Sequence, residues 1–465
     1  MQENIVKVSE IIDNRYDAYY YRKEFYELKE KLLNAEHKTI GQEFDVTKLA
    51  GFEYTKYFTP ENMMSSDSYI ALTSRNIQTE CLDLTNYITI DKTVADTFLK
   101  RSKLRKNDVV MSYTGEYRRA LLLDKDGFQL GPNICLLRVK EEELSDNKPQ
   151  FLSNYLNSTV GQKLLDREKT FSGQPTVAMS RIRELIIPTN PNIMRSVNIL
   201  MKNTYIQKKE NESKARELLT SIDDFVLDEL NIKLPQFKKE KAYTTQISNI
   251  LGSRFDPDYN QECFSYIYNS LTNHNYDILK NLLVYYKKGT EVGTSQYTEQ
   301  GIPFIRVSDF NSYGLTYSDT TKFISVDYFN ELKDFSPQIG DILFSKDGTI
   351  GNSLLIDENI NGIISGGIIR LHPNKDKVNP RYLSAMLSLN IYKQFFDRNS
   401  IGAIIKHLNI EELLNLPIPL PDKNIQDKIA NYVLETIKTA KTLKEEANRE
   451  LENAKQKVEK ILLGE

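Results

Sequence analysis

The spacing of apolar residues predicts two unusually long helices, one near the middle of the chain and one at its end. In the second, apolar residues recur every three or four positions from Leu443 to Ile461, which is typical of the stripe along a packed helix pair. Neither segment, residues 192–230 or residues 423–463, contains an internal proline or glycine. At about 1.5 Å per residue, each helix would be roughly 60 Å long.

The two predicted helices align with each other without a gap, at a constant offset. A single amphipathic helix of this length would leave its apolar stripe in water, whereas two matching helices can bury their stripes on each other. The alternative is that each helix only caps its own domain. The residues expected to pair the helices are apolar and lie on the two stripes: Ala215, Leu219, Ile222, Val226, Ala447, Leu451, Ala454 and Val458.

The segment before each long helix predicts the same elements in the same order. These are a short amphipathic helix, a strand-rich part that contains a hairpin, a second helix, and an apolar strand that ends in proline. The hairpins are expected within residues 104–123 and 337–356, and the second contains an Asp-Gly turn signal. The helices are expected at 19–33 and 260–271 and at 149–166 and 380–397, and the first strands at 67–76 and 302–310.

This similarity extends to individual residues, so the chain contains a duplicated domain. Arg-Tyr-Asp at residues 15–17 returns as Arg-Phe-Asp at 254–256, and Asp-Val-Val at 108–110 returns as Asp-Ile-Leu at 341–343. A repeat this long is not a solenoid unit, which spans about 20 to 50 residues. The sequence predicts an α+β fold with two similar, strand-rich domains joined by two long antiparallel helices that form a coiled coil. The predicted boundaries are 1–190 for the first domain, 191–232 for the first long helix, 233–421 for the second domain and 422–465 for the second long helix.

Composition limits the class of protein without giving its function. The chain has 465 residues, of which 40% are hydrophobic and 27% charged, and its net charge of −3 argues neither for nor against DNA binding. The three cysteines and four histidines match no disulfide framework or zinc pattern. We expect no bound metal, no membrane span, no signal peptide and a reducing, cytoplasmic setting.

Patterns of catalytic residues are incomplete. The tetrads at 256–259 (Asp-Pro-Asp-Tyr) and 379–382 (Asn-Pro-Arg-Tyr) approach the motif that amino-methyltransferases use, but both lack its second proline and no glycine-rich adenosylmethionine loop precedes them. The segment from Asp341 to Lys346 approaches a nuclease pattern, but Phe344 occupies the place of the second metal-binding acid. We therefore expect no catalytic residue in this chain.

The ordered set of these features resembles the specificity subunit of type I restriction–modification systems. The resemblance is carried by the Arg-Tyr/Phe-Asp tripeptides, by GDILFSKDGTIG at 340–351, by residues 382–421 and by the long helix that follows. It spans essentially the whole chain, and the second half is the closer match. The hairpin turn and the following loop of the first half depart from the pattern, at positions where the family would vary its DNA target.

The resemblance implies a non-catalytic subunit that recognises double-stranded DNA. Each half would be a target recognition domain for one part of a split, asymmetric sequence, and the paired helices would set the spacing and dock two methyltransferase subunits. S-adenosylmethionine would be bound by those partners and not by this chain. Whether restriction or translocase subunits join the complex stays open, and no membrane is involved.

Residues for DNA contact are expected among polar and basic side chains in loops that differ between the halves. Arginine and lysine can bind guanine edges or phosphates, and glutamine can recognise adenine, although a solvated surface charge is the alternative for each. The candidates are Arg75, Tyr113, Arg118, Arg119, Lys169, Gln174, Arg181, Lys287, Lys288, Arg306, Lys346, Arg398, Lys406 and His407.

Four aromatic residues and one arginine pair have separate expectations. Tyr16, Tyr20, Phe255 and Tyr259 are expected to be core residues rather than stacking platforms for bases. Arg167 and Arg398, at equivalent places in the repeat, suit phosphate contact or an internal ion pair better than base recognition.

Two other functions remain open from the sequence. The chain could be a stand-alone methyltransferase or nuclease with similar recognition domains, which would require an adenosylmethionine or metal site. It could also be an interaction scaffold that does not bind DNA.

Overall fold

The computed structural model describes residues 15–115, 118–140, 147–170, 174–233, 244, 259–318, 320–399 and 406–465. The chain divides into two compact units. Unit 1 contains residues 1–211 and 445–465, and unit 2 contains residues 212–444. The predicted domain boundaries separate each globular part from its long helix, and they stay a prediction. The Arg-Phe-Asp tripeptide at 254–256 lies outside the described residues.

The two long helices are present and span Pro191–Glu229 and Lys423–Leu463. In unit 1, Gln207 of the first helix donates a hydrogen bond to Glu450 of the second. In unit 2, the Phe225 ring stacks on Tyr432 with ring centroids 3.6 Å apart.

Within each unit, the two helix segments run antiparallel. In unit 2, Lys428 lies 2.7 Å from Glu229. Compared with the stacked pair Phe225 and Tyr432, this contact is one turn later on the first helix and one turn earlier on the second. In unit 1, Val197 and Met201 share an apolar cluster with Val458 and Leu462. Residue numbers on one helix therefore fall as those on the other rise.

Unit 1 is built on two four-stranded sheets. The first has the order Phe44–Lys48, Ile134–Val139, Val109–Ser112, Ala120–Leu122, and all its pairs are antiparallel. The second has the order Ile88–Asp91, Ser68–Leu72, Phe128–Leu130, Lys103–Leu104, with one parallel pair in its centre. Two antiparallel pairs complete the strands: His37–Thr39 with Ile186–Pro188, and Lys169–Thr170 with Thr176–Val177.

Unit 2 repeats this arrangement. Its antiparallel sheet has the order Leu283–Lys288, Ile368–Pro373, Ile342–Ser345, Ser353–Leu355. Its second sheet has the order Tyr297–Thr298, Lys322–Ile324, Ile302–Ile305, Ile363–Ile364, again with one parallel pair. Two antiparallel pairs follow: Tyr276–Ile278 with Pro417–Pro419, and Phe310–Asn311 with Gly314–Leu315.

Short α-helices surround the sheets in both units. Those of unit 1 are Lys23–Leu33, Ile40–Glu43, Gly51–Tyr57, Pro60–Met63, Lys92–Phe98, Asn147–Asn157, Thr159–Glu168 and Met179–Glu184. Those of unit 2 are Glu262–Thr272, Val326–Glu331, Pro380–Ser388, Asn390–Asn399 and Ile410–Leu414.

The main core of each unit joins its antiparallel sheet to the long helices. In unit 1, Val109 and Leu137 of the sheet share a buried cluster with Val458. In unit 2, Ile342 and Leu371 share one with Val226, Ile429 and Val433. The long helices thus extend the hydrophobic core of each unit, and their apolar stripes are buried in it. The structure confirms the predicted α+β class, with two similar strand-rich units and antiparallel long helices.

The prediction of one continuous helix at 149–166 and at 380–397 is wrong. Each is a pair of helices, broken after Asn157 in unit 1 and after Ser388 in unit 2. Ser158 has an extended backbone and its side chain accepts a hydrogen bond from Gly161 N, so it caps the second helix. The apolar period continues across the break, which is why the pattern did not show it.

Other predictions need smaller corrections. The strand expected at 67–76 ends at Leu72, and the one expected at 302–310 ends at Ile305 and is followed by a 3-10 turn. Tyr20 is buried as expected, but Tyr16 is 76% exposed and is not a core residue. Phe255 lies outside the described residues.

Candidate nucleic-acid interface

In unit 1, the turn of the central hairpin is fastened to a second loop. Gly115 N donates a hydrogen bond to Pro175 O at 2.9 Å, and Val177 N donates to Tyr113 O at 2.9 Å. We call the two segments Tyr113–Gly115 and Pro175–Val177 together bridge 1.

Unit 2 contains the same construction, formed by Lys346–Gly348 and Lys406–Leu408, which we call bridge 2. Gly348 N donates to Lys406 O at 2.9 Å, and Leu408 N donates to Lys346 O at 2.9 Å. The glycines that close the two turns have φ angles of 89° at Gly115 and 67° at Gly348, a conformation that favours glycine. The backbone of the two bridges is therefore alike, although their side chains differ.

Buried carboxylates hold the base of each hairpin. Asp108 accepts a hydrogen bond from Arg105 N at 2.7 Å, and its counterpart Asp341 accepts one from Gln338 N at 2.8 Å. Arg138 forms two hydrogen bonds to Asp108, which raise the pKa of the arginine. Both carboxylates thus stabilise the turn that leads into the hairpin and belong to the scaffold of the bridge.

The carboxylate Asp341 in unit 2 has different partners. His372 Nδ1 lies 2.7 Å from it and Arg370 Nε 3.3 Å from it, and its own side chain is 0% exposed. The Asp341 side chain, which belongs to the near-nuclease pattern, therefore has a structural role in packing and ion pairing. Phe344 of that pattern is fully buried in the core.

Three predicted site residues of unit 1 lie close to carboxylates of the same unit. Arg118 is only 2% exposed and its Nη1 lies 2.6 Å from Asp166, which Lys169 also approaches at 3.3 Å. Arg181 lies 3.7 Å from Glu168. Each of these three basic side chains is thus partly neutralised by a carboxylate of the same unit.

The remaining candidates of unit 1 are more accessible. Arg119 is half-buried and its Nη1 donates to Gln78, while Arg75 and Gln174 are exposed. Burial raises the pKa of the half-buried Tyr113. Of these residues, Tyr113 and Gln174 lie in or directly beside bridge 1.

In unit 2, the structure brings Lys346, Lys406 and His407 together at bridge 2. Lys346 Nζ lies 2.6 Å from Asp347, and His407 Nδ1 lies 2.9 Å from the same carboxylate. Lys406 extends to Asp397 at 2.5 Å.

Three of the other four candidates of unit 2, Lys287, Lys288 and Arg306, lie on other elements, and the fourth is Arg398. Lys287 lies 4.4 Å from the centre of the Phe335 ring, and Lys288 is exposed at the end of an edge strand. Arg306 donates to Asp309 and to Thr320 O. DNA contact by any of the candidates of either unit stays a prediction.

Arg167 and Arg398 make the same contacts in their two units. Arg167 Nε donates to Tyr20 O and its guanidinium lies 4.3 Å from the centre of that ring. Arg398 Nε donates to Tyr259 O and its guanidinium lies 4.0 Å from that ring centre. Each arginine thus connects the helix before the bridge loop to the beginning of its domain through hydrogen bonding and a cation–π contact.

The residues expected to pair the helices lie in the cores. Ala215, Ile222, Val226, Ala447, Ala454 and Val458 are buried. Leu219 packs against the core of unit 2 and Leu451 against that of unit 1, and both are partly buried.

Two features were missed from the sequence. Asp347 was not among the candidates, although it binds two of them. Asn76 and Asp309, each 1% exposed, accept a hydrogen bond from the backbone nitrogen three residues earlier, at Thr73 and Arg306. A comparison of the two halves at an offset of 233 would have found this second pair.

The methyltransferase-like tetrad at 379–382 has structural contacts. Asn379 accepts hydrogen bonds from Arg381 N and Tyr382 N, so it caps the helix that follows, and its amide donates to Asp427. The Tyr382 hydroxyl is buried and donates to Pro419 O at 2.7 Å. The first tetrad lies outside the described residues apart from Tyr259.

The described part of the chain contains neither a membrane-spanning helix nor a metal-binding cluster of side chains. None of its helices combines the length and apolarity needed to cross a membrane. No group of three or more histidine, cysteine, aspartate or glutamate side chains is placed to hold a metal ion there.

A family model and several known proteins match this chain. Residues 266–453 match the family model of the type I restriction modification DNA specificity domain. The specificity subunit of the type I restriction enzyme MjaVIII from Methanocaldococcus jannaschii is 24% identical over 174 residues, which are 36% of this chain and 40% of that protein. The specificity subunit of EcoBI from Escherichia coli is 27% identical over 164 residues, 35% of this chain and 34% of that protein.

The chain thus matches well under half the length of these two curated relatives. Among solved structures, one that concerns complex assembly and conformational transition of the type I R-M system has 17% sequence identity to this chain and a TM-score of 0.48. The S subunit from M. genitalium has 15% identity and a TM-score of 0.43, and for both structures the match covers 92% of this chain and 96% of the other. The resemblance predicted from the sequence is therefore confirmed: residues 266–453 of this chain match the DNA specificity domain of type I restriction–modification systems, and its curated relatives are specificity subunits.

Proposed function

We propose that this chain is the DNA-recognition subunit of a type I restriction–modification complex. Each unit recognises one part of an asymmetric, bipartite sequence in double-stranded DNA through its bridge and the loops beside it. The chain itself binds no cofactor and carries out no catalysis. Two methyltransferase subunits dock on it and supply S-adenosylmethionine.

The observation that carries this proposal is the repeated bridge. Equivalent backbone hydrogen bonds fasten the hairpin turn to a loop in both units, while the side chains on that backbone differ. The positions of Tyr113 and Thr114 in one unit are occupied by Lys346 and Asp347 in the other. A shared backbone scaffold that carries different side chains suits two domains that recognise different base sequences.

The duplication also accounts for an asymmetric target. A symmetric homodimer presents the same residues twice and therefore recognises a palindrome. Two units on one chain with different bridge side chains would select two unrelated half-sites. The resemblance to specificity subunits supports the same proposal.

The test uses purified components. The full chain is mixed with its own methyltransferase subunit and labelled S-adenosylmethionine, and a library of duplexes with random sequence serves as substrate. We expect methyl transfer to adenines in one sequence class only, and none by this chain alone. Transfer without sequence preference would contradict the proposal.

A second measurement separates this function from a self-contained enzyme. We expect isothermal titration of the chain alone with S-adenosylmethionine to give no binding heat. Tight binding would favour the stand-alone methyltransferase. The assembled complex should bind duplex DNA more weakly as salt rises, and a lack of DNA binding at low salt would favour a scaffold.

A further inference from the structure

The two bridges place different chemistry on the same backbone. An isolated antiparallel β-bridge joins Thr114 to Thr176 in unit 1, and its counterpart in unit 2 joins Asp347 to His407. In unit 1, both side chains are hydroxyl groups. In unit 2, they are a carboxylate and an imidazole. The two pairs can therefore be compared directly, because they place different side chains at equivalent positions of the same backbone.

A third residue completes the arrangement at bridge 2. Lys346 Nζ lies 2.6 Å from both carboxylate oxygens of Asp347. His407 Nδ1 lies 2.9 Å from Asp347 Oδ1. The side chain of Lys346 is 11% exposed and that of Asp347 is 21% exposed, whereas that of His407 is 58% exposed. Lys346 and Asp347 thus form a largely buried ion pair, and this pair holds the imidazole of His407 at the surface.

The Asp347 carboxylate determines which nitrogen of the His407 ring can accept a hydrogen bond from another molecule. An ionised carboxylate offers only acceptors, so Nδ1 is the nitrogen that carries hydrogen and donates to Asp347. In the neutral ring, Nε2 then has a free lone pair and acts as an acceptor. A ring without the carboxylate would exchange between tautomers and orientations, and its acceptor would not be fixed.

We propose that His407 is a specificity-determining residue of unit 2 and that Asp347 is its positioning residue. Through Nε2, His407 accepts a hydrogen bond from the exocyclic amino group of one cytosine or adenine in the major groove. These amino groups are the donors that the base edges present there. This inference rests on the proposed DNA-recognition function.

The counterpart pair in unit 1 has a different hydrogen-bonding capacity. The hydroxyl of Thr176 donates to Gln174 O at 3.1 Å, whereas that of Thr114 can both donate and accept, so this pair does not require an amino group on the base. The two bridges therefore contribute to a target whose halves differ. The base contacted by bridge 2 is one that carries an amino group in the major groove.

The test measures base selectivity in the assembled methyltransferase complex. Duplexes in which each target position carries each of the four base pairs are methylated by the complex of the full chain. With His407→Ala, we expect selectivity at one position in one half-site to fall by about tenfold to a hundredfold, as for loss of a base contact. With Asp347→Ala, a smaller loss is expected at the same position, because the ring remains but is no longer oriented. His407→Gln keeps an acceptor and should restore part of the selectivity.

A modified base provides the chemical control. A duplex whose contacted base lacks the exocyclic amino group should be a poorer substrate for the wild-type complex, and His407→Ala should not distinguish it from the normal duplex. Thr176→Ala, the matched variant in unit 1, should change selectivity in the other half-site only. Thermal melting of each variant establishes that it is folded.

The outcomes separate the inference from the function on which it rests. A selective wild-type complex whose His407→Ala variant keeps the same base preference at every position would overturn the inference alone. A change of equal size in both half-sites would also overturn it. A wild-type complex without any sequence selectivity would overturn both.

Discussion

Truncation of Val226 tests the burial of the long helices in the cores. Val226 is 0% exposed and shares the core of unit 2 with Ile429 and Val433 of the second long helix. Val226→Ala removes two buried carbon groups at about 0.8 kcal/mol each, and the cavity left behind adds to this, so we expect a cost of about 2–3 kcal/mol. Val226→Asp would bury an unpaired charge and cost about 3–5 kcal/mol.

The assay is native-state hydrogen exchange, because a chain with two compact units need not unfold in one step. A loss of 2 kcal/mol corresponds to exchange about thirtyfold faster. We expect this acceleration in core peptides of unit 2 for Val226→Ala. Val458, the counterpart of Val226, is 1% exposed in the unit 1 core, so Val458→Ala should accelerate exchange in peptides of unit 1.

A surface variant on the same helix is the control for Val226. Arg216 is exposed, so Arg216→Ala should change stability by no more than about 0.5 kcal/mol. If Val226→Ala exchanged at the same rate as Arg216→Ala, the first long helix would not contribute to the core of unit 2 and the reasoning would be refuted.

Two further predictions concern stability within unit 1. A Cβ on Gly161 would lie 2.1 Å from Tyr155 O, so Gly161→Ala should cost about 1–3 kcal/mol in urea unfolding, whereas Gly51→Ala, with no atom within 4 Å, should not destabilise. Burial opposes ionisation of Glu43, but hydrogen bonds from two lysines outweigh it and hold its pKa below the ordinary value of 4.5. The stabilisation from Glu43 is therefore present above about pH 4.5 and lost as pH falls through the lower folded pKa, so urea midpoints of wild type and Glu43→Gln should converge at acid pH.

These predictions have distinct contradicting results. Equal urea midpoints for Gly161→Ala and Gly51→Ala would show that the helix break tolerates a side chain. A difference between wild type and Glu43→Gln that stays constant between pH 6 and pH 3 would show that the lysines do not hold Glu43 in its ionised form.

The long elements and the duplication could be predicted from the sequence because their signals are long. About 40 residues without proline or glycine, with an apolar stripe, indicate one helix, and the observed helices begin within one residue of the predicted starts. The second hairpin was predicted from its Asp-Gly turn. The helix break at Ser158 could not be predicted in this way, because one capping residue leaves the apolar period on either side intact.

The chemistry of the candidate site depends on contacts between distant parts of the chain. Asp347 and His407 are 60 residues apart, and Arg118 binds Asp166 across 48 residues. Its basic side chain and its position in a loop that differs between the halves marked Arg118 as a candidate for DNA contact, but the side chain is buried. Exposed Tyr16 was misjudged for a similar reason: an aromatic residue beside a predicted helix is usually buried, and only the packing of the domain decides it.

A map of methylated adenines in DNA tests the central claim most directly. The chain would be expressed with its methyltransferase subunit in cells that lack other adenine methyltransferases, and the genome sequenced for modified bases. We predict one asymmetric sequence made of two short, unrelated parts separated by a gap of unspecified bases. A single continuous palindrome, or no modification that depends on this chain, would contradict the account.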